Sequence, residues 1–192
     1  MINLAIFLSG TGTNAKNIIQ HFSFHKYISV KLIITNNPKS TLFETVKGTS
    51  IKYNVFDKND FLDGSNILKD LRKSKISFII LAGFLLKIPN VIIDSFMKRI
   101  INIHPSLLPE FGGKGMYGMN VHKAVFNAKK KQTGITIHEV TPEYDKGRII
   151  FQAKCELLED DKPKDIQKKI QKLEHKFYPI VIENYILFKN EN

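Results

Sequence analysis

A chain of 192 residues, 43% hydrophobic and 24% charged, is long enough for a sizeable core and too apolar for wholesale disorder. Its single cysteine, Cys155, excludes an internal disulfide and a cluster of zinc-binding thiolates, and no apolar stretch approaches the roughly 20 residues of a membrane helix. The net charge of +11 is nearly all lysine. Arg72, Arg99 and Arg148 are the only arginines, and no basic stripe with interleaved aromatics exists, so compositional bias explains the charge better than a nucleic-acid surface.

Apolar runs of strand length fall at residues 2–8, 28–34, 51–56, 78–82 and 100–103, the last drawn back to Met97 as a strand over 97–103. Between them, residues 14–21, 41–47, 64–73 and 90–97 have helical character, and 119–127 follows as a further helix. That alternation predicts βαβ units and a mostly parallel sheet. Residues 134–140 and 148–157 read as two more strands joined by a turn of Pro142, Asp145 and Gly147, an antiparallel extension of the sheet. Pro163 opens a helix striped by Ile166, Ile170, Leu173 and Phe177, and a break at Pro179 precedes an apolar segment over 180–188. Lys129, Lys130 and Lys131 read as the solvated end of a helix. One domain over 1–192 is expected, with no repeat or linker, and a start too short for a signal peptide points to the cytoplasm.

Chemistry concentrates in Asn102-Ile103-His104-Pro105-Ser106-Leu107-Leu108-Pro109. Strand side chains alternate with period two, so Asn102 and His104 share a face. The prolines stiffen the exit by fixing φ and extending the residues before them. An amide can donate to an oxygen that becomes negative during acyl transfer, and an imidazole can move a proton near neutral pH. Alone, such a triplet is more often a structural histidine at a strand end.

The first strand runs into Ser9-Gly10-Thr11-Gly12-Thr13-Asn14, where a helix N-terminus would present backbone N–H groups to an anion. The same loop is equally well an ordinary turn capped by Thr13 or Asn14. It fits neither the dinucleotide fingerprint nor the P-loop. Leu81-Ala82-Gly83-Phe84 ends a buried strand at the carboxyl edge, where α/β sheets bind ligands, although Phe84 by itself is better read as core. Asp145 is by default a solvated turn residue; facing His104, its carboxylate would raise the histidine pKa.

In order and spacing these blocks, together with Gln171, Glu174 and His175, resemble the folate-dependent phosphoribosylglycinamide formyltransferase family over nearly the whole chain. The Asn-x-His-Pro-Ser-Leu-Leu-Pro block is shared by the wider formyltransferase superfamily; the glycine loop narrows the likeness to enzymes with this phosphorylated substrate. The resemblance implies a Rossmann-like, doubly wound α/β fold with a mostly parallel sheet, helices on both faces and a C-terminal antiparallel extension. It implies transfer of formyl from 10-formyltetrahydrofolate to glycinamide ribonucleotide (GAR), with no metal and no covalent enzyme intermediate.

Carried onto this sequence, it gives Asn102 and His104 at the transferred formyl group and Asp145 orienting His104. Gly12, Thr13 and Asn14 would cradle the GAR phosphate, and Gln171 and Glu174 would contact GAR. Leu85, Leu86, Lys87 and Ile88 would line the folate pocket, with Val140 and Tyr144 from the 140–145 loop. Lys114, in a glycine-rich segment over 111–118, either reaches the phosphate as a point charge or is an exposed loop lysine. Leu85-Leu86 stands where a better-known bacterial pattern has Met-Arg, and no arginine lies within 61–66. A monomer or homodimer with small-molecule partners, and neither nucleic acid nor membrane, is expected.

Three other readings compete. A methionyl-tRNA formyltransferase would need a further C-terminal domain, a formyltetrahydrofolate hydrolase usually carries an N-terminal regulatory one, and a basic RNA-binding module rests on charge alone.

Overall fold

The computed structural model describes residues 1–191. Contacts gather the chain into two compact units, Met1–Ile101 and Asn102–Asn192. The first contains, in chain order, β1 (Ile2–Leu8), α1 (Thr13–Phe22), β2 (Ile28–Thr35), α2 (Leu42–Val46), β3 (Lys52–Val55), α3 (Asp60–Asp63), α4 (Ser65–Lys73), β4 (Phe78–Leu81) and α5 (Asn90–Ser95). Strand β5 (Ile100–His104) runs from the end of the first unit into the second, which continues with α6 (Met119–Asn127), β6 (Gln132–Glu139), β7 (Ile149–Glu156) and α7 (Pro163–Glu191). The strands form one mixed sheet in the order β3-β2-β1-β4-β5-β6-β7.

In the first unit β1 is the hub, parallel to both β2 and β4, while β2 is parallel to β3. Leu4 to Leu8 are completely buried, as are Leu32, Ile33 and Ile34 of β2. A continuous apolar run, rather than alternation, is what a parallel strand covered on both faces requires. In the second unit β6 pairs antiparallel with β7, from Gln132 opposite Glu156 to His138 opposite Ile149. Strand β6 is buried almost throughout, whereas β7, at the end of the sheet, is half-exposed.

Three sequence expectations need correction. Strand β5 starts at Ile100 rather than Met97, because the chain turns at Lys98 (φ 59°) and the Arg99 N–H returns to the Phe96 carbonyl at 2.8 Å. Pro179 does not break the last helix; it lies inside α7. A proline inside a helix costs about 3 kcal/mol, yet the buried stripe of Ile166, Ile170, Tyr178, Ile182 and Ile186 keeps a four-residue rhythm across it. Each such side chain contributes roughly 1.5–3 kcal/mol, so packing outweighs the proline. Finally, Lys130 is not simply solvated: its Nζ pairs with Glu110 at 2.9 Å. No helix among the described residues is long and apolar enough to cross a membrane.

Candidate functional site

The residues singled out at the end of β5 are joined by hydrogen bonds and charge to β6 and to the β6–β7 turn. His104 is 3% exposed, and its Nε2 lies 2.8 Å from the Phe111 carbonyl oxygen. A carbonyl only accepts, so the proton sits on Nε2 and the Nδ1 lone pair is turned to Asp145 Oδ2, 3.6 Å away. The other carboxylate oxygen, Oδ1, lies 3.6 Å from His138 Nε2. At 3.6 Å neither is a close hydrogen bond, and Asp145 acts on His104 through charge.

Burial is the dominant influence on His104 and takes its pKa below the ordinary histidine value, although Asp145 and the Phe111 carbonyl pull it up. This corrects the expectation that the carboxylate would raise it on balance: desolvation wins. Burial also works to raise the Asp145 carboxyl, but His138, His104 and the Gly113 N–H together bring it below its ordinary value. At neutral pH the arrangement is an imidazole beside a carboxylate. A proton taken up at Nδ1 replaces a lone pair facing negative charge by an ion pair, so Asp145 rewards protonation at the moment it occurs.

His138, which the motif reading missed, completes the group. Its Nδ1 donates to the Glu139 carbonyl at 2.8 Å, leaving Nε2 to accept from Asn102 Nδ2 at 3.1 Å. That contact fixes which end of the Asn102 amide faces β6. Behind it, buried Glu139 accepts from the Tyr185 hydroxyl of α7 at 2.7 Å. A signal was present in the sequence: Gly134, Thr136 and His138 share one side of a strand by parity, with two polar groups in an apolar run.

Thr136 anchors the proline-stiffened exit. Its Oγ1 donates to the Ser106 carbonyl at 2.7 Å and accepts from Leu108 N–H and Gln152 Nε2 at 2.9 Å each. His122 on α6 is 3% exposed, with no hydrogen-bond partner for its Nδ1. Burial, with His104 nearby, pushes its pKa down to about 4. The side chains of Gln171 and Glu174, one turn apart on α7, are half-buried, as is Val140, while Tyr144 and Lys114 are exposed. Half-buried Cys155, on β7, has its thiol pKa raised by burial, as an inert thiol should.

The first unit holds the glycine loop. Helix α1 begins at Thr13 with Gly12 as its N-cap and no side-chain cap, so Thr13 and Asn14 lie inside the helix rather than capping it. Gly12 has φ +83°, and a Cβ there would stand 3.0 Å from Leu8 Cδ1, so both conformation and space call for glycine. Intrahelical bonding starts with Lys16 N–H to the Gly12 carbonyl. The first turn of any helix presents N–H groups that its own carbonyls do not use, which suits an anion. Ser9 Oγ accepts from the Leu85 N–H at 3.0 Å, joining this loop to the 85–88 segment. Leu85 is 46% exposed and Lys87 is exposed, while Leu86 is half-buried and Ile88 is buried. Phe84 packs edge-on against Phe7 and tilted against Phe61, and is half-buried rather than core.

The formyl transferase family model matches residues 2–182. The chain belongs to the formyl transferase family. Among its relatives, the chloroplastic phosphoribosylglycinamide formyltransferase of Arabidopsis thaliana is 40% identical over 185 residues, 93% of this chain and 63% of the relative. The chain therefore spans less than two thirds of that plant protein. The Bacillus subtilis phosphoribosylglycinamide formyltransferase is 32% identical, with 99% of this chain and 97% of the relative covered. The crystal structure of phosphoribosylglycinamide formyltransferase from Bacillus halodurans superposes with a TM-score of 0.86 at 32% identity, covering 99% of this chain and 97% of that one.

Proposed function

We propose that this formyl transferase, acting as one domain, moves the formyl group of 10-formyltetrahydrofolate to the amine of GAR, giving formyl-GAR and tetrahydrofolate for purine synthesis. The observation that carries the reading is the Asn102–His138 and His104–Asp145 pairing at the end of β5, in a chain that covers 97% of a relative named for that reaction.

In the proposed mechanism the GAR amine attacks the formyl carbon, and a C–N bond forms as the carbonyl oxygen becomes negative. Asn102 donates an amide hydrogen to that oxygen, its orientation kept by His138. His104 manages the proton that leaves the attacking amine, and the Asp145 carboxylate stabilises the imidazolium. Collapse of the intermediate breaks the bond to the folate nitrogen, which takes up the proton. Gly12, Thr13 and Asn14 would hold the GAR phosphate, with Gln171, Glu174 and Lys114 as further contacts. Leu85 to Ile88, with Val140 and Tyr144, would take the folate. No metal has a role in this scheme.

Deformylation of 10-formyltetrahydrofolate, followed spectroscopically with and without GAR, tests the proposal. Turnover should require GAR and yield formyl-GAR stoichiometrically. GAR-independent release of formate would mean a hydrolase, and no turnover with either would remove the assignment.

A further inference from the structure

The 111–118 segment touches the reacting couple with its backbone rather than with its lysine. Phe111, a non-glycine residue at φ 55°, directs its carbonyl to His104 Nε2 at 2.8 Å. Two residues on, the Gly113 N–H donates to Asp145 Oδ2 at 2.8 Å, the same oxygen that faces His104 Nδ1. One short stretch of main chain thus grips the far nitrogen of the imidazole and the near oxygen of the carboxylate, which sets the gap between them.

The grip is itself anchored. The Glu110 carbonyl accepts from Ser106 Oγ at 2.7 Å, and Lys130, paired with Glu110, stands over the Phe111 ring at 5.9 Å. Between the two gripping groups lies Gly112. A Cβ there would meet Leu108 Cδ2 at 2.5 Å and Asp145 Cβ at 3.4 Å. Gly112 lies outside the left-handed region, so what bars a larger residue is space alone.

We infer that the glycine-rich segment is a positioning element for His104 and Asp145, with the Phe111 carbonyl and Gly113 N–H as its working groups and Gly112 as the residue that admits them. Main-chain groups suit the task because they have no side-chain rotamers to freeze. The other titratable groups around the couple are His138 from β6 and His122 from α6. The ring nitrogens of His138 bond to Asn102 and the Glu139 carbonyl rather than to this segment, so a change confined to the segment reads out first on His104 and Asp145.

The inference rests on the formyl-transfer reading, so its test has an arm without catalysis. In Gly112→Ala the added methyl lifts the segment off Asp145. The expected result is a kcat about ten- to a hundredfold lower, the scale of a misplacement near 1 Å, with KM for both substrates changed by less than about threefold. In the ligand-free protein, 15N NMR of His104 should show the Nε2–H tautomer in wild type and its loss in Gly112→Ala. Leu108→Val/Gly112→Ala, which removes the obstructing Cδ2, should recover most of the rate and the tautomer.

Wild-type tautomer and rate in Gly112→Ala would overturn the inference. So would losses that the double variant leaves unrepaired, with the melting temperature confirming folded protein throughout. If the wild type itself transfers no formyl to GAR, the proposed function fails, and the NMR arm still judges the segment.

Discussion

Asn102 and His138 meet side chain to side chain across β5 and β6, Nδ2 to Nε2 at 3.1 Å, and the Glu139 carbonyl fixes which His138 nitrogen accepts. The amide is thereby aimed before any substrate arrives, which is the condition for electrostatic stabilisation without reorganisation. His138→Phe should free the amide to rotate and lower kcat about tenfold, less than the hundredfold or more that outright loss of an oxyanion donor costs, because Asn102 is still present. Steady-state kinetics with the melting temperature alongside would check it; an unchanged kcat would remove His138 from the positioning of Asn102.

His104→Ala and Asp145→Asn should each lower the rate by about a hundredfold or more, the usual scale for positioned proton-transfer groups. Both pKa shifts are downward, so His104 is neutral and Asp145 ionised at pH 7, and wild-type kcat should be level there and fall only on the acid side. A pH–rate profile on wild type and both variants decides this.

Acid should weaken the fold through His122. Its folded pKa of about 4 lies below the unfolded 6.5, so the unfolded chain binds the extra proton as pH falls through that window. Stability should decline between those values by on the order of 3 kcal/mol, at 1.36 kcal/mol per unit. Melting temperatures of wild type and His122→Gln between pH 7 and 4 would show it, the variant having the flatter dependence.

Gly12→Ala should act on the phosphorylated substrate. The left-handed φ and the Leu8 contact both resist a methyl, so the turn must shift. KM for GAR should rise by about tenfold or more while KM for folate stays within about threefold, provided the loop binds the phosphate; one good charge-assisted hydrogen bond is worth that much. Equal effects on both substrates would remove the loop from that role.

Tyr185→Phe should destabilise the protein by about 1–3 kcal/mol, because Glu139 would keep its burial and lose its donor. Urea unfolding measures this directly, with a shift in midpoint at unchanged slope.

Much of this molecule is written locally. Ile2–Leu8 appears in the sequence with its bounds intact because the apolar run Leu4 to Leu8 marks a strand covered on both faces, and Met119–Asn127 because helical periodicity survives in nine residues. Asn102 and His104 are visible as a pair because strand parity alone places them on one face. Gly12 announces a turn because φ > 0 selects glycine.

What depends on distant neighbours was hidden. Pro179 looks like a terminator, and only burial along α7 carries the helix through it. His138 joins the candidate site because β6 brings it to Asn102, and the His104 pKa falls rather than rises because burial, a sum over many neighbours, outweighs one carboxylate. Local sterics and periodicity operate within a few residues and can be read from the chain. Desolvation, tautomer choice and the gap between His104 and Asp145 are set by groups up to 41 positions apart in the chain, so they exist only once it has folded.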